Sequence, residues 1–240
     1  MTQKKVEFLI MGAQRGGTTA LYSYLWRHPE TQMSKYKETL FFDNYYLSVA
    51  ESKREDFYHS HFSDTSKVWG EATPSYMYHV LCYPRIKEYN PNMKMLFMLR
   101  DPCDRAYSHW QMNLDDKKKI RLGDDPGHLQ RSLYATWIKK IMDYFPKKQM
   151  LFIKNEELMN DPNGTMLKVF AFLGLGASFF VRPLKVILAP RNAGDGISVM
   201  QRNQRKMPKT LRKITIPVFL EDIKALEKIT KWDLTSWKTI

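Results

Sequence analysis

Gly12-Ala13-Gln14-Arg15-Gly16-Gly17-Thr18-Thr19 stands between two segments of different pattern. Before it, Val6-Glu7-Phe8-Leu9-Ile10-Met11 is a short, nearly continuous apolar run, which reads as a strand buried on both faces. After it, Ala20, Leu21, Tyr24 and Leu25 recur at helical spacing over Thr18 to Trp26. In a strand, glycine turn and helix, backbone N–H groups and the positive end of the helix dipole converge on one spot and can hold a phosphate or sulfate. A nucleoside triphosphatase loop would read Gly, four residues, Gly, Lys, then Ser or Thr, with the lysine on the β and γ phosphates. Here Thr18 takes the lysine's place and the cation lies three residues upstream, at Arg15. No later strand ends in an aspartate of the magnesium-holding kind, Arg100-Asp101 being the nearest candidate. A tight turn without a ligand is the plainer reading, against which stand the glycines, threonines and arginine gathered there.

Working outward, Met93 to Leu99 is a second apolar strand, broken by Arg100-Asp101-Pro102. A helix over about Asp104 to Leu114 follows it, with Asp101 or Asp104 as its cap. The spacing further predicts one long helix over His128 to Tyr144, a strand at Met150 to Ile153, and a helix from Asp161-Pro162 through Thr165 to Leu173, stopped by Gly174. A final amphipathic helix is predicted over about Pro217 to Thr230. Lys35 to Tyr83 lacks clear periodicity and reads as surface helices and loops around a site; Ala189 to Lys213 also lacks a pattern. Strands separated by helices imply an α/β fold with a mostly parallel central sheet, and with no linker in sight residues 1–240 read as a single domain.

Composition narrows the partners. With 38 Lys plus Arg against 25 Asp plus Glu, the chain carries +13, so its partner is expected to be anionic. An apolar share of 43% excludes a disordered chain, and no apolar run reaches the roughly 18 residues of a bilayer-spanning helix. Membrane anchoring and secretion are therefore not expected. Cys82 and Cys103 lack metal-ligand spacing, which fits a reducing cytosol.

The loop Gly12 to Thr19, followed by Ala20-Leu21-Tyr22, resembles the 5′-phosphosulfate loop of sulfotransferases that use 3′-phosphoadenosine 5′-phosphosulfate. Arg100-Asp101-Pro102-Cys103-Asp104-Arg105-Ala106-Tyr107-Ser108-His109-Trp110 resembles the same family's 3′-phosphate motif, an Arg at a strand end with a Ser eight residues on. Lys37-Glu38-Thr39-Leu40-Phe41-Phe42-Asp43, Gly70-Glu71-Ala72-Thr73-Pro74-Ser75-Tyr76 and Asn155-Glu156-Glu157-Leu158 agree in order. The resemblance is to the carbohydrate-type and bacterial branch and implies its P-loop-like parallel sheet flanked by helices.

It also implies a donor with two anionic ends. Gln14, Arg15, Gly16, Gly17, Thr18 and Thr19 would hold the 5′ end, and Arg100 and Ser108 the 3′-phosphate. Arg191 and Asn192 would reach the donor from a mobile family segment. Arg191 to Lys213 carries net +6 with no aromatic residue, so most of it reads as a solvated face rather than a nucleic-acid arm. Charge builds on the leaving bridge oxygen during in-line sulfuryl transfer, and Arg15 is the cation expected there. Where relatives usually have Lys, an arginine favours an electrostatic role over proton donation. Because the sulfuryl group carries less charge than a phosphoryl group, no metal is expected; the product is adenosine 3′,5′-bisphosphate.

Glu38 is expected as the base for the acceptor, by its position four residues before Phe42, unless it merely pairs with Lys35 or Lys37. Tyr36, Asp43, Tyr76, His79, His109 and Tyr134 are candidates to line the acceptor pocket; His109 is not expected to be the base. Heparan-type enzymes carry Lys after the Glu matching Glu71, where this chain has Ala72. The expected acceptor is therefore the hydroxyl or amine of a small molecule or natural product, with a heparan-like glycan as the alternative. A P-loop kinase or triphosphatase, or a non-catalytic nucleotide-binding module, are the rival classes. Neither nucleic acid nor membrane is an expected partner, and the oligomeric state is left open.

Overall fold

The computed structural model describes residues 3–115, 121–177 and 206–240. Its centre is a five-stranded parallel sheet of β1 (Phe8–Gly12), β2 (Thr31–Met33), β3 (Val68–Ala72), β4 (Lys94–Leu99) and β5 (Met150–Lys154), in the order β2-β3-β1-β4-β5. Around it run α1 (Thr18–Trp26), α2 (Arg54–His59), α3 (Cys82–Tyr89), α4 (Pro102–Asp115), α5 (Pro126–Gln130), α6 (Tyr134–Met142), α7 (Asn155–Asn160), α8 (Pro162–Leu173) and α9 (Lys209–Thr230).

The apolar runs of β1 and β4 are continuous because the sheet is covered on both sides. Leu9 and Met11 feed one core with Met95, Phe97 and Leu99, while Phe8 and Ile10 feed the other with Leu96 and Met98. The expected parallel α/β architecture is the observed one. α8 starts at Pro162, where Asp161 accepts from Gly164 N, and ends at Gly174 with φ 80°, as its sequence signals indicate.

Three expectations need correction. The stretch read as surface helices and loops between Lys35 and Tyr83 also contains a strand, β3, which lies between β1 and β2. Its sequence, Val-Trp-Gly-Glu-Ala, hides it: Gly70 is there because a Cβ would collide with the Phe8 ring, and Glu71 is a charged residue turned into the core. The single helix over His128 to Tyr144 is two helices, α5 and α6. Between them Ser132 tucks under α4, donating to Pro102 O at 2.9 Å and accepting from the fully buried Arg105 Nε at 2.6 Å. Finally, α9 starts at Lys209, so Pro217 lies inside it. Packing of Thr215, Ile216, Phe219, Ile223 and Leu226 outweighs the lost backbone hydrogen bond.

The glycine loop is pressed onto the end of β4. Ala13 N donates to Met98 O at 2.8 Å, Gly16 N donates to Ala13 O at 2.8 Å, and a Cβ on Gly16 would collide with the Met98 carbonyl oxygen. Gly16→Ala is therefore expected to cost more than about 2 kcal/mol in urea unfolding. Unchanged stability would show that the loop does not bear on β4.

Candidate active site

α1 begins at Thr18 behind Gly17, whose φ of 104° is left-handed. No side chain caps this end and its first turn holds no acidic residue, so its N–H groups and dipole are suited to an anion. Arg15 also has positive φ, 66°, a backbone state that favours glycine and is held here by the packed loop. Its guanidinium reaches across to α4: Nε and Nη2 each donate to Ser108 Oγ at 3.1 Å, and Nη1 lies 3.7 Å from Met112 Sδ. The loop and the Arg100–Ser108 turn, far apart in sequence, thus share one site, with Thr18, Arg100 and Ser108 buried in its floor and Thr19 half-buried.

Gln14 is held by Tyr78 and by a residue that sequence reasoning missed, Arg131. Its N–H donates to Tyr78 Oη at 3.2 Å and its Oε1 accepts from Arg131 Nη1, while the Arg131 guanidinium sits 5.1 Å from the Tyr78 ring centroid. Arg131 lies between α5 and α6, inside the stretch read as one helix, and only the folded chain carries it to the loop.

The Arg100–Ser108 turn is held from below. Asp101 caps α4 by accepting from Cys103 N at 2.9 Å and Asp104 N at 3.1 Å, and it takes a bidentate pair from Arg212 of α9 at 2.9 and 2.6 Å. The hydrogen bonds and charge of Asp101 push the Arg212 pKa up. Arg212 also donates to Thr239 O at 2.7 Å, so it is a buried tether rather than part of a solvated basic face. Arg191 and Asn192 lie outside the described residues.

Glu38 is exposed, with φ 65° and its N–H donating to Ala72 O at 2.9 Å. Its Oε1 pairs with Lys37 Nζ at 2.6 Å. Asp43 accepts from Ser75 Oγ at 2.8 Å and from Asn44 N at 2.7 Å. Tyr36, packed edge-on against His61, and His79 are exposed. Three acceptor-lining expectations, Tyr76, Tyr134 and His109, need correction. Tyr76 is fully buried and accepts from Phe42 N at 3.1 Å, while Tyr134 is buried and donates to Arg100 O at 2.8 Å. Both spend their hydroxyls on backbone, and neither offers a surface to a ligand. His109 is buried too, with Nδ1 3.1 Å from Gly127 O, and burial followed by Arg105 drives its pKa down to about 3. Ala72, whose side chain sits in the core below β3, occupies an inward position where a cation could not simply be added.

Two consequences are measurable. Arg212→Met leaves Asp101 buried without its cation and should cost about 3–5 kcal/mol, most of it recovered in Asp101→Asn/Arg212→Met. Equal stability of wild type and single variant in chemical unfolding would remove the tether. His109 titrates below its usual 6.5 when folded, so the folded state binds fewer protons than the unfolded chain. The stability it supplies is complete above about 6.5 and is lost as pH falls toward about 3. The melting temperature should therefore drop between about pH 7 and pH 4, and drop less in His109→Asn, whose amide can still donate to Gly127 O. Parallel curves for the two proteins would contradict this.

Residues 5–188 match the family model described as Sulfotransferase domain. The chain is 29% identical over 183 residues to heparan sulfate glucosamine 3-O-sulfotransferase 3B1 of Mus musculus, covering 70% of this chain and 45% of that protein. It is 30% identical over 195 residues to bifunctional heparan sulfate N-deacetylase/N-sulfotransferase 4 of Mus musculus, covering 70% of this chain and 22% of that protein. The chain thus spans less than half the length of these curated relatives. Among solved structures, a sulfotransferase from Alicyclobacillus acidocaldarius has the same fold, with a TM-score of 0.77 at 24% identity over 98% of this chain and 99% of that one. The matched span takes in the glycine loop, Glu38 and the Arg100–Ser108 turn, and the chain belongs to the sulfotransferase family.

Proposed function

We propose that this chain transfers a sulfuryl group from 3′-phosphoadenosine 5′-phosphosulfate to a hydroxyl or amine, leaving adenosine 3′,5′-bisphosphate. The observation that carries the reading is the contact of Arg15 with Ser108, which brings two anion holders from separate strand ends to one site. A donor with anionic groups at both ends of one nucleoside suits such a pair. Residues Gln14 to Thr19 take its 5′ end, and Arg100 with Ser108 takes its 3′-phosphate. Arg15, always charged, stabilises the negative charge that develops on the leaving side. Glu38, exposed and hydrogen-bonded through its N–H to the end of β3 beside β1, accepts the acceptor's proton. Neutral His109 donates to backbone and stays out of the proton transfer.

The relatives named for heparan sulfate move the acceptor from a small natural product toward a sugar hydroxyl or amine of a glycan. The Ala72 substitution weighs less against that than its sequence position suggests, since its side chain is buried. Cys82 and Cys103, both buried free thiols, support a reducing compartment such as the cytosol. Among the described residues no helix is long and apolar enough to cross a membrane.

Adenosine 3′,5′-bisphosphate should raise the melting temperature and 5′-AMP should not, because only the first fills the Arg100–Ser108 end. With sulfur-labelled donor and a panel of amino-sugar oligosaccharides, phenols, alcohols and amines, label should pass to an acceptor without added metal. Glu38→Gln should lower turnover by about 100-fold or more while keeping protection by the bisphosphate. Equal protection by 5′-AMP, or magnesium-dependent ATP turnover, would replace this reading with a kinase or triphosphatase.

A further inference from the structure

Among the described residues Glu71 is the one carboxylate on a strand of the sheet; it is fully buried near the end of β3, and the chemistry proposed above does not use it. Three hydroxyls donate to it: Thr39 Oγ1 to Oε1 at 2.7 Å, Thr73 Oγ1 to the same oxygen, and Tyr58 Oη to Oε2. Tyr76 Oη lies 3.4 Å from Thr39 Oγ1 in the same buried group. An ionised carboxylate accepts hydrogen bonds and donates none, so it turns these hydroxyl protons inward and leaves their lone pairs facing out.

Those lone pairs meet backbone N–H groups. Leu40 N donates to Thr73 Oγ1 at 3.4 Å, Phe41 N to Thr39 Oγ1 at 3.4 Å, and Phe42 N to Tyr76 Oη at 3.1 Å. The three amides open the helical turn Phe41–Tyr45, where no intrahelical acceptor exists for them. They also follow directly on Glu38, in a loop where Glu38 and Leu40 both hold left-handed backbone angles, φ 65° and 54°. Such a conformation costs energy for residues other than glycine and persists only where surrounding contacts over-determine it.

We propose that Glu71 is a positioning residue for Glu38: through Thr39, Thr73 and Tyr76 it orders the hydroxyls that hold amides 40 to 42, and so fixes the left-handed loop that presents Glu38 to the acceptor. The proposal rests on Glu38 being the base. Burial pushes the Glu71 carboxyl pKa up, while its hydroxyl donors pull it back down. Glu71→Gln keeps the shape but removes the charge: its NH2 group faces either Tyr58 or the pair Thr39 and Thr73, and its remaining neutral oxygen is a weaker acceptor for the hydroxyls it keeps. Thr39→Val removes one relay without touching a charge, and Thr39→Ser keeps it.

Amide hydrogen exchange on the full chain reads the positioning directly. In Glu71→Gln and in Thr39→Val, the amides of Leu40, Phe41 and Phe42 should exchange about ten-fold faster or more, with those of β4 unchanged and Thr39→Ser like wild type. Unchanged exchange at 40 to 42, or an equal rise throughout β4, overturns the proposal. Turnover is then measured on the fastest acceptor of the panel above, with adenosine 3′,5′-bisphosphate as the binding probe. Glu71→Gln should lower kcat about ten-fold or more, with the bisphosphate's protection kept and the donor KM within about two-fold. Glu38→Gln/Glu71→Gln should be no slower than Glu38→Gln alone, since Glu71 acts through Glu38. A double variant slowed by the product of the two effects shows Glu71 acting independently and overturns the proposal. Full turnover in Glu38→Gln would instead defeat the base assignment, whereas slow Glu38→Gln beside fast Glu71→Gln defeats only this inference. If Glu71→Gln fails to fold, the Thr39 pair carries the same tests.

Discussion

The contact of the glycine loop with the end of β4 is the constraint from which the site follows. With Ala13 N on Met98 O and no room for a Cβ at Gly16, the loop cannot lift away from the strand whose next turn carries Arg100. Two strand ends are thereby locked side by side, and the loop after one reaches the helix after the other. Arg15 reaches Ser108 because of this lock. Parallel strands bring such ends to one edge of a sheet, and the tight loop sets their separation to within a hydrogen bond.

A second layer of polar contacts holds that edge. Asp101 caps α4 and binds Arg212, while Met207 N donates to Asp104 Oδ1 at 2.8 Å, so the C-terminal helix is fastened beneath the Arg100–Ser108 turn. Arg105, wholly buried, ties the α5–α6 junction to α4, and that junction delivers Arg131 to Gln14. Glu71 does comparable work on the opposite flank for the loop of Glu38. Asp101, Arg105 and Glu71 are thus spent at the junctions between segments, where each has several hydrogen-bond partners.

How far the sequence could be read depends on the range of the signal. The strand, glycine turn and helix around Gly12 to Thr19, the break at Arg100-Asp101-Pro102, and the cap and stop of α8 are local patterns and stand in the structure as read. β3 was hidden because a strand needing Gly70 for Phe8 and a buried Glu71 breaks the apolar pattern that identifies strands. The α5–α6 break was hidden because its cause, Arg105 on Ser132, lies on another helix. Tyr76 and Tyr134 looked like pocket aromatics by composition, but a tyrosine's burial is decided by neighbours remote in sequence.

The sequence by itself determined the parallel α/β class, the strand, glycine turn and helix of the loop, and the family resemblance, because apolar periodicity, glycine turns and short motifs act over a few residues. Only the tertiary structure decided that Arg15 lies on Ser108, that Arg131 and Tyr78 hold Gln14, that Arg212 is a tether, and that Glu71 stands behind the loop of Glu38. Each of these is a contact between segments far apart along the chain, and such contacts exist only once burial of the two cores has fixed how the segments pack.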